Sequence, residues 1–203
     1  DNLRLDGNVL SSQDSNGNIT LTPDGTGAVV IDGCSILVDS DSVVDCSVGL
    51  GTSNTIFGKD AGDAIEAGAT NNSLFGEAAG GAITTGDYNV FIENNAGDAI
   101  TTQAYNVGIG SGALGAAAVG SLTAVGANAL LANNSGEFNT GIGYSAGLLT
   151  SSGDSNTFLG YSAGYNNTTA SFNTAVGYKA LYDSNRTADV NAHNTALGCT
   201  AGE

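Results

Sequence analysis

The chain has 203 residues and a formal net charge of −16, from 20 acidic and 4 basic side chains. That balance argues against nucleic acid as a partner and against attachment to an anionic membrane, since both are gripped by clustered Lys and Arg. No apolar run approaches the roughly 18 residues of a membrane span.

Leu, Ile, Val and Phe together number 45, about 22% of the chain, while Gly contributes 31 residues and Asn 22. A chain so poor in large apolar groups folds only if those groups recur in a pattern that lets them stack. The sequence opens at Asp1 with no signal-peptide pattern, the start expected of a processed product or a recombinant segment.

In chain order, residues 1–33 alternate apolar and polar side chains around the turn signals Asp6-Gly7-Asn8, Asn16-Gly17-Asn18 and Pro23-Asp24-Gly25. They predict a shaft segment of short β-strands joined by tight turns, with too little core to stand alone. Residues 34–53 place apolar pairs between polar residues and predict a transition or an irregular first coil. From residue 54 to 203 one phrase returns nine times: NTIFGKDAG, NSLFGEAAG, NVFIENNAG, NVGIGSGAL, LTAVGANAL, NTGIGYSAG, NTFLGYSAG, NTAVGYKAL and NTALGCTAG. Its fifth positions are spaced by 18, 17, 17, 16, 17, 17, 17 and 21 residues, and its Ala slot, from Ala61 to Ala201, never varies. Longer insertions are expected at 131–138 and 182–193.

About seventeen residues crowded with Gly and Asn are too few for a two-helix repeat and poor in helix propensity. They fit two short strands and their turns, so each copy reads as one coil of a β-solenoid. Nine coils stacked at the strand spacing make a rod roughly 40 Å long. The Gly of the phrase suits a corner with positive φ and close backbone approach. The Ala marks a site with room for one methyl group, and Asn139, Asn156 and Asn173 are placed to form a hydrogen-bonded ladder.

Within the phrase the Thr and the aliphatic residue point one way and the residue between them the other. The aliphatic face (Phe57, Phe75, Ile92 and their equivalents) is expected inside the coil. The opposite face, from Ile56 and Leu74 to Ala196, is also apolar or small. A strand apolar on both sides is covered on both sides. One coil has one interior, so a second chain is expected as the other cover.

The N-T-x-Φ-G-x-x-A-G phrase, where Φ is aliphatic or Phe, resembles the head repeats of trimeric autotransporter adhesins. It is more similar still to repeats of bacteriophage tail fibres and related virion spikes. LRLDGNVLSSQDSNGNITLTPDGTGAVVI resembles the shaft segments that often precede such repeats. The resemblance implies an all-β, trimeric β-solenoid (β-roll) of about nine coils of 16–21 residues, preceded by the short shaft segment. It implies a non-catalytic structural segment of a virion fibre that takes part in host attachment, with a host cell-surface receptor, such as a glycan, as partner beside the other two chains of a homotrimer. The alternative owner is the head of a bacterial surface adhesin, which changes the location from the virion to the bacterial cell surface. Glu93 in the Gly slot and Leu122 in the Asn slot depart from the pattern, and their coils are expected to be irregular. A third reading is an ice-binding solenoid, given Thr140, Thr157, Thr174 and Thr195 one coil apart; their expected inward direction argues against it.

Sites of chemistry are few. His193, the only histidine, stands in the slot of Tyr88, Tyr105, Phe138 and Phe172, so a structural role is expected. Cys199 falls in the slot of Tyr144, Tyr161 and Tyr178; Cys34 and Cys46 could pair or remain buried thiols. Asp39, Asp41 and Asp45 could offer oxygen ligands to calcium, yet the spacing is that of no calcium loop, and a solvated acidic turn is expected. No catalytic residue, cofactor or metal is assigned. Tyr144, Tyr161 and Tyr178, one coil apart beside a turn, are expected to stack along one edge, either as a stabilising ladder or as a contact for a saccharide receptor or a lateral neighbour.

Overall fold

The computed structural model describes residues 35–39, 42–45, 53–183 and 192–202, all within one compact unit, Gly33–Glu203. The expected shaft strands of residues 1–33, the side chains of Asp39, Asp41 and Asp45, and residues 184–191 of the expected insertion lie outside the described residues. Among those described there is no helix. Strands β1 (Ser35–Asp39) and β2 (Ser42–Asp45) pair antiparallel.

Everything from β3 onward is one parallel sheet of nine strands of three residues each. They are β3 (Thr55–Phe57), β4 (Ser73–Phe75), β5 (Val90–Ile92), β6 (Val107–Ile109), β7 (Thr123–Val125), β8 (Thr140–Ile142), β9 (Thr157–Leu159), β10 (Thr174–Val176) and β11 (Thr195–Leu197). Each strand pairs only with the strand before and the strand after it, and equivalent residues pair throughout, as Thr140 with Thr157 and Ile142 with Leu159. The chain is therefore an all-β solenoid of about eight turns. Each coil contains a single strand, where two were expected. The rest is a run of turns whose backbone groups also bond from coil to coil, as Gly62 N–H to the Ala79 carbonyl (3.1 Å) and Gly80 N–H to that of Ala96 (2.9 Å).

The corners follow from the repeat. At Gly126 φ is +129°, and a methyl group there would stand 2.6 Å from the backbone of Gly143 in the next coil, so glycine is required on both counts. Two residues further on, and again after the invariant Ala, the chain is left-handed: Asn128 has φ 58° and Leu130 φ 48°. The Ala between them is buried in every coil from Ala61 to Ala180, where a larger side chain would meet the wall opposite.

Which strand face is inside differs from the sequence expectation. The middle residues are the interior: Leu74, Phe91, Ala124, Phe158 and Ala175 are fully buried. The Thr and aliphatic residues on either side point outward. Phe57 is 43% exposed, Leu159 44% and Leu197 78%. The reason is the bore of a seventeen-residue coil, too narrow for a column of uniformly large side chains. Its contents alternate in size instead. A methyl group at Gly97 would lie 2.5 Å from the Phe91 ring, and one at Gly147 2.7 Å from that of Phe158. Large and small residues thus interdigitate within one chain. Thr140, Thr157, Thr174 and Thr195 lie on the outward side as well, so the inward direction that counted against ice binding is not observed.

The Asn ladder forms as expected. Asn156 donates from its backbone N–H (2.8 Å) and from Nδ2 (3.1 Å) to Asn139 Oδ1, and its own Oδ1 accepts the Asn173 N–H (2.9 Å). Nδ2 also reaches a carbonyl 14 residues ahead, that of Ala170 (3.0 Å). Glu93 and Leu122 do not interrupt the sheet, whose register is unbroken through β5, β6, β7 and β8. Glu93 turns its corner at φ 86°. Leu122 is buried and gives its backbone N–H to Asn106 Oδ1 (3.1 Å). The coil starting at Asn106 is one residue short, and Asn106 Nδ2 is buried without a hydrogen-bond partner. Residues 131–138, expected to be a longer insertion, follow the ordinary course of the coil, with Ala132 N–H on the Leu148 carbonyl (3.0 Å).

Candidate interaction surface

The outward sheet face is the feature that a solenoid interior does not explain. It carries two columns. One is Thr, Ser or Val, led by Thr55, Ser73 and Val90; the other is Phe57, Phe75, Ile92, Ile109, Val125, Ile142, Leu159, Val176 and Leu197. Exposed apolar side chains are ordinary when scattered, but a continuous stripe marks a contact surface.

Two rows of aromatic rings flank it. On the entry side, the residue before each Asn is left-handed in every coil, from Ser53 (φ 62°) to His193 (φ 46°). This sharp reversal aims Tyr88, Tyr105, Phe138, Phe172 and His193 off the body of the coil, and the first four are all at least 46% exposed. Neighbours in this row stack: Tyr88 on Tyr105 with centroids 5.2 Å apart, and Phe172 on His193 at 4.9 Å. His193 thus occupies the slot that the sequence assigned to it, stacked on Phe172. On the exit side, immediately after the corner, Tyr144, Tyr161 and Tyr178 stack in a row at 5.3 Å, with Cys199 exposed in the next slot.

This geometry decides part of what the tyrosines can do. Their ring faces are occupied by one another, so a sugar cannot lie against the middle of the row; what is presented is a line of ring edges. Lys179 leans back toward the row and toward a second stack, with Nζ 5.6 Å from the Tyr178 centroid and 4.9 Å from that of Tyr182, which itself stacks on Tyr165 at 5.0 Å. A lysine so placed covers aromatic surface with its alkyl stem.

Charge is distributed with equal regularity. From β5 to β11 neither the outward strand residues nor either flanking slot holds an Asp, Glu, Lys or Arg; Glu93, at the corner between Ile92 and Asn94, is the one charge set among them. Carboxylates occupy other slots, such as Asp63, Asp87, Asp98, Glu137 and Asp154. Lys59, in the first coil, lies 3.4 Å from Asp60 and 3.6 Å from Glu77, and its ammonium is held above the usual lysine pKa, chiefly by the hydrogen bond to Asp60 and that residue's charge. Its environment is fully solvated, so this ion pair contributes little to stability.

Among the described residues no group of three or more His, Cys, Asp or Glu side chains could hold a metal ion. Buried polar groups do occur. The interior column Ile65, Ile83, Ile100, Ala117 continues as Asn133, Thr150 and Asn167, and Asn133 Nδ2 and Thr150 Oγ1 have no hydrogen-bond partner within the protein. Sequence reasoning missed this polar bore, and it placed His193 in one slot with Tyr88, Tyr105, Phe138 and Phe172 without foreseeing that they form an exposed row. The row had a signal, namely aromatics recurring one residue before the Asn, but nothing in the sequence showed that a left-handed residue would project them.

Compared with known protein families, curated proteins and solved structures, the chain matches none.

Proposed function

We propose that the chain is a structural segment of a fibre, assembled as a homotrimer of parallel solenoids. The owner that the repeat resembles most is a virion, where the segment forms part of a tail fibre that attaches to a host cell. One observation carries this reading: the outward sheet face is an apolar stripe running the length of the rod, almost free of charge in a chain of net charge −16.

A surface of that kind is covered in its working state, because charge depletion with aromatic enrichment is the mark of an interface core. Nine strands at about 4.8 Å spacing, with flanking rings about 20 Å across, give a face of roughly 800 Å² per chain, the area one partner contributes to a stable interface. Three identical rods around a common axis cover all three stripes. The mechanism is mechanical: the rod is stiff because a backbone ladder runs through it, with Asn ladders on either side of Leu122. The outer turns, which carry carboxylates such as Asp63 and Asp98, are left to meet the host receptor or its glycan. A bacterial adhesin head would use the same geometry, and a membrane anchor encoded downstream would assign the chain to that owner.

Light scattering on the intact chain tests the assembly. The expected particle has three times the chain mass of 20.0 kDa and resists detergent; a particle of one chain mass would remove the proposal.

Ice binding has one observation in its favour, the outward Thr column. Against it, the neighbouring column mixes Phe57 and Phe75 with Val125 and Val176, which is not a flat plane. Thermal hysteresis in the purified protein would decide for it.

A further inference from the structure

We infer that the two aromatic rows are the two halves of one seam between chains, so that the Tyr144, Tyr161, Tyr178 row of one copy packs on the entry-side row of the next. The inference rests on the trimeric reading and adds what that reading leaves open: which edge meets which, at what height, and what the tyrosines are for.

In each coil the entry-side residue and the exit-side residue border the same three-residue strand from opposite ends, so they share a level on the rod. When identical rods assemble around an axis parallel to their length, the exit edge of each copy faces the entry edge of its neighbour at that same level. The seam therefore brings Tyr144 of one chain to Phe138 of the next and Tyr178 to Phe172. One level further up, Cys199 comes beside His193.

Three features favour this occupant over a saccharide. Apart from Phe138, whose row neighbours are Ser121 and Ser155, the rings of both rows are stacked on a neighbour within their own chain before any contact, so ordering them on association costs little side-chain entropy. Stacking within a row leaves ring edges outward, and edges on neighbouring rings are a favourable aromatic arrangement. Neither row includes a carboxylate, so chains that repel one another overall meet there without opposing charge.

The test is disulfide trapping in the full chain with Cys34, Cys46 and Cys199 replaced by Ser. Phe172→Cys and Tyr178→Cys are introduced together. Within one chain the strand Thr174–Val176 separates them by at least ~10 Å, too far for a disulfide. Mild oxidation is expected to convert most of the protein to a reducible species that runs as three linked chains on a denaturing gel, while each single variant runs as one chain. The pair Phe138→Cys with Tyr144→Cys repeats the measurement two coils away, in case one variant folds poorly. A trimeric particle in solution whose chains all run singly after oxidation overturns the seam and leaves the trimer standing. Single variants that cross-link as well as the pair overturn it too. A monomeric particle overturns the trimer and the seam together.

Discussion

Asn156→Ala and Asn106→Ala remove the same group from two interior coils, and the structure predicts unequal costs. At Asn156 the substitution deletes two Nδ2 hydrogen bonds, to Asn139 Oδ1 and the Ala170 carbonyl, and strips the Asn173 N–H of its acceptor. The Ala170 carbonyl keeps a donor, Asn167 Nδ2 at 2.9 Å, and Asn139 Oδ1 keeps the backbone N–H of residue 156, so one buried N–H is left orphaned. An orphaned buried donor costs about 1–3 kcal/mol and each lost hydrogen bond about 1 kcal/mol, for a total near 4 kcal/mol. At Asn106 one N–H, that of Leu122, is orphaned in the same way, but Nδ2 made no bond to lose. Its removal even relieves a buried unpaired donor. Asn106→Ala should therefore be about 2 kcal/mol milder than Asn156→Ala. Urea unfolding followed by circular dichroism, with both variants at equal concentration, measures the difference. Equal destabilisation, or a larger loss at Asn106, would refute the idea that side-chain amides bonded from coil to coil hold the stack.

Three other substitutions probe the corner, the bore and the stripe. Gly126→Ala combines a glycine-only φ of +129° with a methyl group 2.6 Å from the next coil's backbone. It should cost about 3 kcal/mol or more, read as a lowered urea midpoint. Phe158→Ala empties the bore between small neighbours and should cost about 3–5 kcal/mol in the same assay. A near-neutral result would mean that the ring is not core. Ile142→Asp with Leu159→Asp charges the outward stripe without touching the bore. The expected product keeps its β circular dichroism signal but sediments as a single chain; an unchanged trimer would show that the stripe is not the contact.

Much of this was legible in the residues because a stacked coil repeats its demands. The corner Gly recurs wherever one backbone crosses closely over the next, the Ala wherever the wall leaves space for one methyl, and the Asn wherever an amide must link coils; His193 could be placed from its slot alone. The irregularity expected at Glu93 does not disturb the sheet, and the one expected at Leu122 is confined to the Asn ladder, where Asn106 Nδ2 is left without a partner; strand register holds at both because backbone bonds lie on either side. The stacking of Tyr144, Tyr161 and Tyr178 was readable from spacing, whereas the orientation that spends their faces on one another was not.

The sequence by itself determined the period, the all-β class, the ladder and the apolar or small character of both sides of the strand. Only the tertiary structure decided which side is the bore. Strand alternation separates the Leu159 column from the Phe158 column but is indifferent to which of them points inward, and the uniformly large side chains of the Leu159 column favoured the wrong one. The direction is set by the left-handed residues that close each coil, Phe172 before the strand and Lys179 after it, with φ of 61° and 52°. Side chains such as theirs impose no such backbone locally; it is the closure of a seventeen-residue ring around a narrow interior that requires it.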